Sequence, residues 1–254
     1  MTPLKPLALS LALLLGTGAV QAGEPLLLVH RHALLHSPPT QARQGQSEWD
    51  MHRTGQSRTS IVRLEAESPL QRYVEGERTL IVLDGQVRFS FDNDQKTLGP
   101  GDYVAIPAGQ AYRIQAGDDG KPLLLGFDVP GPAVAGAQPV IKRQAQVMAG
   151  PTNWNDPSDR GWTLDKTAAK RVNLVEMFSE LKNHSHPDAD HSLILLKGRA
   201  RVVTPTEEHV LEPGDYVSIP RNVAHKYYVD GDQPALFVSF DAPAYDPAKT
   251  LYLE

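Results

Sequence analysis

The sequence has no cysteine among its 254 residues. That excludes a disulfide framework, a thiol nucleophile and a thiolate metal ligand, so any metal must sit on histidine, carboxylate or backbone oxygen. Long apolar runs are missing after residue 22, and no later stretch approaches the roughly 20 residues that a membrane span needs. The first residues, Lys5 followed by LALSLALLLGTGAV and closing on Val20-Gln21-Ala22, have the charge, length and small-residue cut site of a secretory signal peptide, assigned to residues 1–22. No twin arginine precedes the apolar run, so the chain is expected to be exported unfolded, to acquire metal outside, and to be periplasmic or secreted. An excess of positive charge is also missing. There are 25 Lys and Arg against 30 Asp and Glu, and loss of Lys5 with the signal moves the net charge from −5 to −6. Nucleic acid and anionic membrane are excluded as favoured partners on that balance.

Glycine and proline are plentiful, 20 and 21 residues, and stand between short runs of Val, Ile, Leu and Tyr. Such punctuation predicts many short strands joined by turns. The runs also occur twice. LIVLDGQVRFSF from Leu80 matches LILLKGRARVVT from Leu193, and LGPGDYVAIPAGQAYRI from Leu98 matches LEPGDYVSIPRNVAHKY from Leu211, both at a separation of 113 residues (80 to 193, 98 to 211). The same offset pairs Trp49 with Trp162, Asp102 with Asp215, Phe127 with Phe240 and Pro130 with Pro243. One spacing held over about 80 residues is a duplicated domain. Each unit of short antiparallel strands predicts a closed barrel or jelly roll, and GPAVAGAQP, residues 131–139, reads as a linker. PLLLVHRHALLHSPP from Pro25 and PVIKRQAQVMAGP from Pro139 read as leading strands, one for each unit. Trp49 and Trp162 read as packing anchors.

Histidine is concentrated. HSHPDADH, residues 184–191, holds three of the nine. His184 and His186, two apart on a strand, share a face; His191, Leu193 and Leu195 share the inward face of the next strand; His225, after the Pro220 turn, completes the set. Asp190 is an alternative to His191, at the cost of reversing the strand parity. Converging imidazoles suit one divalent transition metal ion, Zn, Cu, Fe or Ni, and not Mg or Ca. The first unit is a control: the equivalent positions are Gln71, Tyr73, Arg78 and Tyr112. A metal-free barrel is expected there, with Arg78 paired to an acid or holding a carboxylate. His30, His32 and His36 read as residues of a leading strand and not as a metal cluster.

These residues resemble the cupin superfamily, whose motifs run roughly G-x5-H-x-H-x3-4-E-x6-G and G-x5-P-x-G-x2-H. The second unit reads His184-x-His186-x4-His191-x6-Gly198, then Gly214-x5-Pro220-x-Asn222-x2-His225. Phe178 replaces the first glycine, Asn222 a later one, and His191 stands where the family usually has glutamate. The resemblance implies an exported bicupin of all-β class: two tandem double-stranded β-helix (jelly-roll) barrels. Residues 23–130 form the degenerate metal-free barrel and residues 140–254 the metal-binding one, with His184, His186, His191 and His225 as ligands. It further implies a metal-dependent enzyme of dioxygenase, lyase or isomerase type acting on a small carbonyl or carboxylate compound. The alternative is a non-catalytic protein that stores, senses or delivers a metal or small ligand. Glu176, Tyr227 and Arg201 are the candidate catalytic residues, and the family allows a homodimer.

Overall fold

A computed structural model of the protein describes residues 25–253 except 93 and 119, so the signal peptide assigned to residues 1–22 lies outside the described residues. Strands account for 52% of the structure. The two units build the same pair of sheets. In the second, a seven-stranded sheet runs in the order Leu27–Val29, Tyr216–Ile219, Asp190–Lys197, Ala235–Ala242, Arg171–Met177, Asp159–Lys166 and Trp154–Asn155. Its counterpart in the first runs Val140–Lys142, Tyr103–Ile106, Gly76–Asp84, Leu123–Pro130, Arg58–Leu64, Gln46–Arg53 and Gln41–Arg43. Smaller sheets close each barrel: Gln71–Arg72, Ala111–Ala116, Val87–Phe91 and Asp94–Leu98 in the first, and Glu208–Leu211, Ala200–Val203 and Lys226–Val229 in the second.

The two faces of each large sheet are both buried, which is why its central strands read as continuous apolar runs instead of alternating ones. Leu193 and Leu195 point into the second barrel, where they meet Val202, Leu211 and Tyr227. Ile194, between them, points the other way into a layer shared by both units. In that layer the repeat partners Phe127 and Phe240 pack with ring centroids 4.9 Å apart. The hairpins need a left-handed residue at the turn. Gly198 has φ +76°, and a Cβ there would lie 2.4 Å from the Pro234 carbonyl oxygen, so only glycine fits.

The interface also carries charge. Lys170 is fully buried between the units, where its Nζ donates to Thr79 Oγ1 at 2.6 Å and to the Tyr103 hydroxyl at 3.0 Å and pairs with Glu77 and Asp165. A lysine out of water is tolerated only with such partners.

Two sequence expectations change. The segments read as leading strands are each a three-residue strand followed by a helix: α1 spans Arg31–His36 and α2 spans Gln144–Ala149. Strand then helix recur at the offset of 113. Moreover, neither leading strand pairs with its own unit. Leu28 sits opposite Val217 of the second barrel, and Ile141 sits opposite Val104 of the first. The two leading arms are therefore exchanged between the units. The PGDY turns receive them. Asp215 accepts from the Arg31 backbone N–H at 3.3 Å and contacts His30 Nδ1 at 3.0 Å; Asp102 accepts from the Gln144 N–H at 2.9 Å and from Arg143 at 2.8 Å. At the other helix end the indoles of Trp49 and Trp162 donate to Ser37 and Gly150 carbonyls. Each helix thus has its start capped by one barrel and its end by the other.

Candidate metal centre

The strand Asp190–Lys197 brings His191 to the mouth of the second barrel on the same face as Leu193 and Leu195. His184 begins a two-residue strand, and its backbone forms a reciprocal bridge with His225, the two N–H to O=C distances being 2.9 and 2.8 Å. Asn222 adopts φ +63° and donates its backbone N–H to the His186 carbonyl at 3.0 Å. Its turn thereby ties the two motifs together. Asn is among the few residues that accept this conformation beside glycine.

One ring nitrogen from each of His184, His186 and His225 lies within 4.8 Å of the others. His191 is outside that trio but adjoins it, its ring centroid 4.7 Å from His186 and 5.5 Å from His225. The outer contacts fix the tautomers. Nδ1 of His184 donates to the Lys182 carbonyl at 2.7 Å and Nδ1 of His225 to the Val223 carbonyl at 2.9 Å; a carbonyl can only accept, so Nε2 of each keeps a lone pair. His191 Nδ1 meets Asp241 Oδ1 at 2.7 Å. Imidazoles oriented by an oxygen on the far side are the arrangement metal sites use.

Burial lowers the pKa of His184, His186 and His225, and the neighbouring imidazoles lower it further. The rings are therefore neutral at pH 7 and able to ligate. Both ring nitrogens of His186 and Nε2 of His225 are buried without a hydrogen-bond partner among the described residues. Orphaned buried nitrogens of this kind carry a desolvation cost that a bound cation would offset. The donor set fits a borderline transition metal.

Of the catalytic candidates, Tyr227 reaches the site: its ring centroid is 5.6 Å from that of His225, and its hydroxyl is buried with no hydrogen-bond partner among the described residues. Glu176 does not. It alternates with the inward Val175 and Met177, so it faces outward, where Arg160 binds it at 2.7 Å. Arg201 alternates with the inward Ala200 and Val202 and is held outside by Glu208 at 2.8 Å and Asp230 at 3.1 Å. The same parity turns Asp190 away from the site to pair with Arg221 at 3.1 Å. Two contributors lay outside the sequence reading. Asp241, whose carboxyl burial pushes up while His191 pulls it down, has a repeat partner in Asp128, a signal the matching FDVP and FDAP segments contained. Tyr245 packs 4.9 Å from His186, centroid to centroid, and has no counterpart in the first unit. Beyond it, the strand Leu251–Tyr252 pairs with His184–Ser185 and covers that edge of the site.

In the first barrel the four equivalent positions also come together, around a cavity of about 260 Å³. Arg78 donates to Glu48 at 2.6 Å and faces Asp128 at 3.4 Å; Tyr112 donates to Gln71 at 3.2 Å.

A family model described as a cupin domain matches residues 61–129 and again residues 175–241. The chain belongs to the cupin family. Solved cupin structures share its two-barrel fold. A point mutant of Bacillus subtilis oxalate decarboxylase is 15% identical, with TM-score 0.63 over 84% of this chain and 76% of its own. A putative glyoxylate-induced protein from Pseudomonas aeruginosa is 16% identical, with TM-score 0.66 over 78% and 81%. A cupin 2 conserved barrel domain protein from Leptotrichia buccalis is 16% identical, with TM-score 0.63 over 85% and 95%. At these identities the likeness is one of fold. No curated protein sequence matches the chain.

Proposed function

We propose that this cupin holds one divalent transition metal ion, Zn, Cu, Fe or Ni, in its second barrel, through His184, His186 and His225 with His191 as the fourth imidazole. The loaded protein is an enzyme of dioxygenase, lyase or isomerase type, acting outside the cytoplasm on a small carbonyl or carboxylate compound. The observation that carries this reading is the set of buried ring nitrogens on His186 and His225 that have no hydrogen-bond partner among the described residues, with the Nδ1 atoms of His184 and His225 tied back to the Lys182 and Val223 carbonyls. Bound there with neutral ligands only, the ion would keep its full 2+ charge and supply strong Lewis acidity toward an anionic oxygen.

The chain's own residues do the rest. Asp241 holds the His191 ring. Burial raises the Tyr227 hydroxyl pKa well above its usual value, so it stays a proton-bearing donor for an oxygen of the bound compound. Tyr245 and the Leu251–Tyr252 strand keep water off His186 and His184. Metal analysis of the exported protein should give close to one ion per chain; a metal-free preparation overturns the reading. A panel of diketones, flavonols and hydroxy acids, with oxygen uptake recorded, should then reveal turnover. A non-catalytic metal-binding role is the second reading, favoured by the cover over His184 and the lack of an ionised ligand. Tight metal binding with silence across the panel would select it.

A further inference from the structure

The barrel that lacks the four-histidine set has kept a cavity. Gln71, Tyr73, Arg78 and Tyr112, the positions that correspond to the four histidines, all line it. A barrel kept only for support would fill this space with apolar side chains, as Phe89, Leu98 and Ile106 fill the layer beneath. Instead it buries a guanidinium: Arg78 is 5% exposed and Tyr112 1%. Holding Arg78 there takes Glu48, Asp128 and a second arginine, Arg58, which bonds both acids at 2.8 and 3.2 Å. Buried ionic networks seldom stabilise more than well-packed apolar residues of the same volume, so this one needs another reason to exist.

The polarity of the lining supplies it. The charged side chains around the cavity are Arg43, Arg72 and Arg78, with no acid among them. Arg78, on the floor, is already neutralised by the acids behind it. Arg43 and Arg72 are exposed at the rim, and neither pairs with a carboxylate among the described residues. The Tyr73 hydroxyl, also in the lining, makes no hydrogen bond among them. Positive charge is therefore unspent at the rim, while uncharged phenol and amide groups lie below it. A volume of about 260 Å³ falls short of the roughly 300–1,000 Å³ of drug-sized sites, which limits the occupant to a small molecule.

We propose that the first barrel is a metal-independent binding site for a small hydroxy or oxo carboxylate. The carboxylate is held by Arg43 and Arg72, and the neutral oxygen by Tyr73 and the Gln71–Tyr112 pair. The site is separate from the histidine centre and does not rest on the reading given for it. The test is calorimetric titration of the full-length protein, with and without prior metal stripping, using glycolate, malate and citrate as probes and sulfate as a control. At least one of the three acids should bind, equally well to the stripped protein and to the His186→Ala variant. Arg43→Gln combined with Arg72→Gln should weaken it roughly tenfold to a hundredfold, the loss expected for charge-assisted hydrogen bonds. Tyr73→Phe, which leaves the buried network intact, should weaken it less but measurably. The proposal is overturned if none of the acids binds, if sulfate binds as well as they do, or if His186→Ala abolishes binding while the rim variant does not.

Discussion

His191 Nδ1 lies 2.7 Å from Asp241, and the residues in the same two places one repeat earlier, Arg78 and Asp128, face each other at 3.4 Å. Both barrels have kept the acid while its partner differs. Opposite an imidazole, the acid orients a ring and frees its outer nitrogen; opposite a guanidinium, it neutralises a charge.

From the first pairing it follows that Asp241→Asn should leave a folded protein whose metal affinity is lower by about 10- to 100-fold, the usual effect of removing an outer-sphere partner. His186→Ala should lose the ion altogether, and Tyr73→Ala should retain it. Metal content after exhaustive dialysis separates the three. Equal losses for His186→Ala and Tyr73→Ala would remove the asymmetry between the barrels.

The second pairing sets a dependence on acid. Burial pushes the Glu48 carboxyl up, but the Arg78 and Arg58 guanidiniums outweigh it and hold the pKa at about 2, against 4.5 ordinarily. A lowered carboxylate pKa contributes stability that is complete above about pH 4.5 and is lost as pH falls toward 2. Glu48→Gln, which takes a shared carboxylate from two arginines and leaves them Asp128 and, for Arg58, Asp50, should cost about 1–3 kcal/mol at pH 7. Denaturant titrations should show the gap between variant and wild type narrowing at pH 3; a constant gap would mean that the charge on Glu48 does not matter.

The cover over the histidines is open to test by truncation. Removing residues 245–254 takes away the strand paired with His184 and the Tyr245 ring against His186. A chelator should then extract the ion faster, while the metal content before challenge stays near one. Unchanged extraction kinetics would show that the segment is no barrier.

Asp215→Ala removes the acceptor that caps α1 from the other barrel, a contact worth about 1 kcal/mol at a helix start. Hydrogen exchange should quicken in residues 25–37 and at their partner strand Tyr216–Ile219, and not in α2. Faster exchange confined to the first barrel would contradict the arm exchange.

The two-barrel plan was legible because a single offset of 113 carried apolar runs, PGDY turns and paired tryptophans together, and the histidine cluster because motif spacing and strand parity pointed to His184, His186 and His225, which meet in the structure with His191 beside them. Parity also settles why Glu176 and Arg201 face outward: each alternates with small or apolar residues that fill the barrel, which short windows around them already contained. The helices were not legible. Six residues, such as RHALLH, are fewer than two turns, too short for a 3.6-residue period to stand out from a strand pattern. Nor was the exchange of arms. Leu28 and Val217 are far apart in sequence, and either barrel offers an equally apolar edge, so nothing local says which one the arm will join.

That exchange has a consequence for synthesis. The edge strand Tyr103–Ile106 of the first barrel stays bare until residues 140–142 have emerged, and Leu27–Val29, the earliest described strand to be made, waits for almost the whole chain before Tyr216–Ile219 exists to receive it. Neither barrel can finish alone, and a cut at the 131–139 linker would give each half the other's missing strand. A single barrel intended to stand by itself would have to be spliced, with the arm from residues 139–150 fused ahead of residue 41 for the first and the arm from residues 25–37 fused ahead of residue 154 for the second.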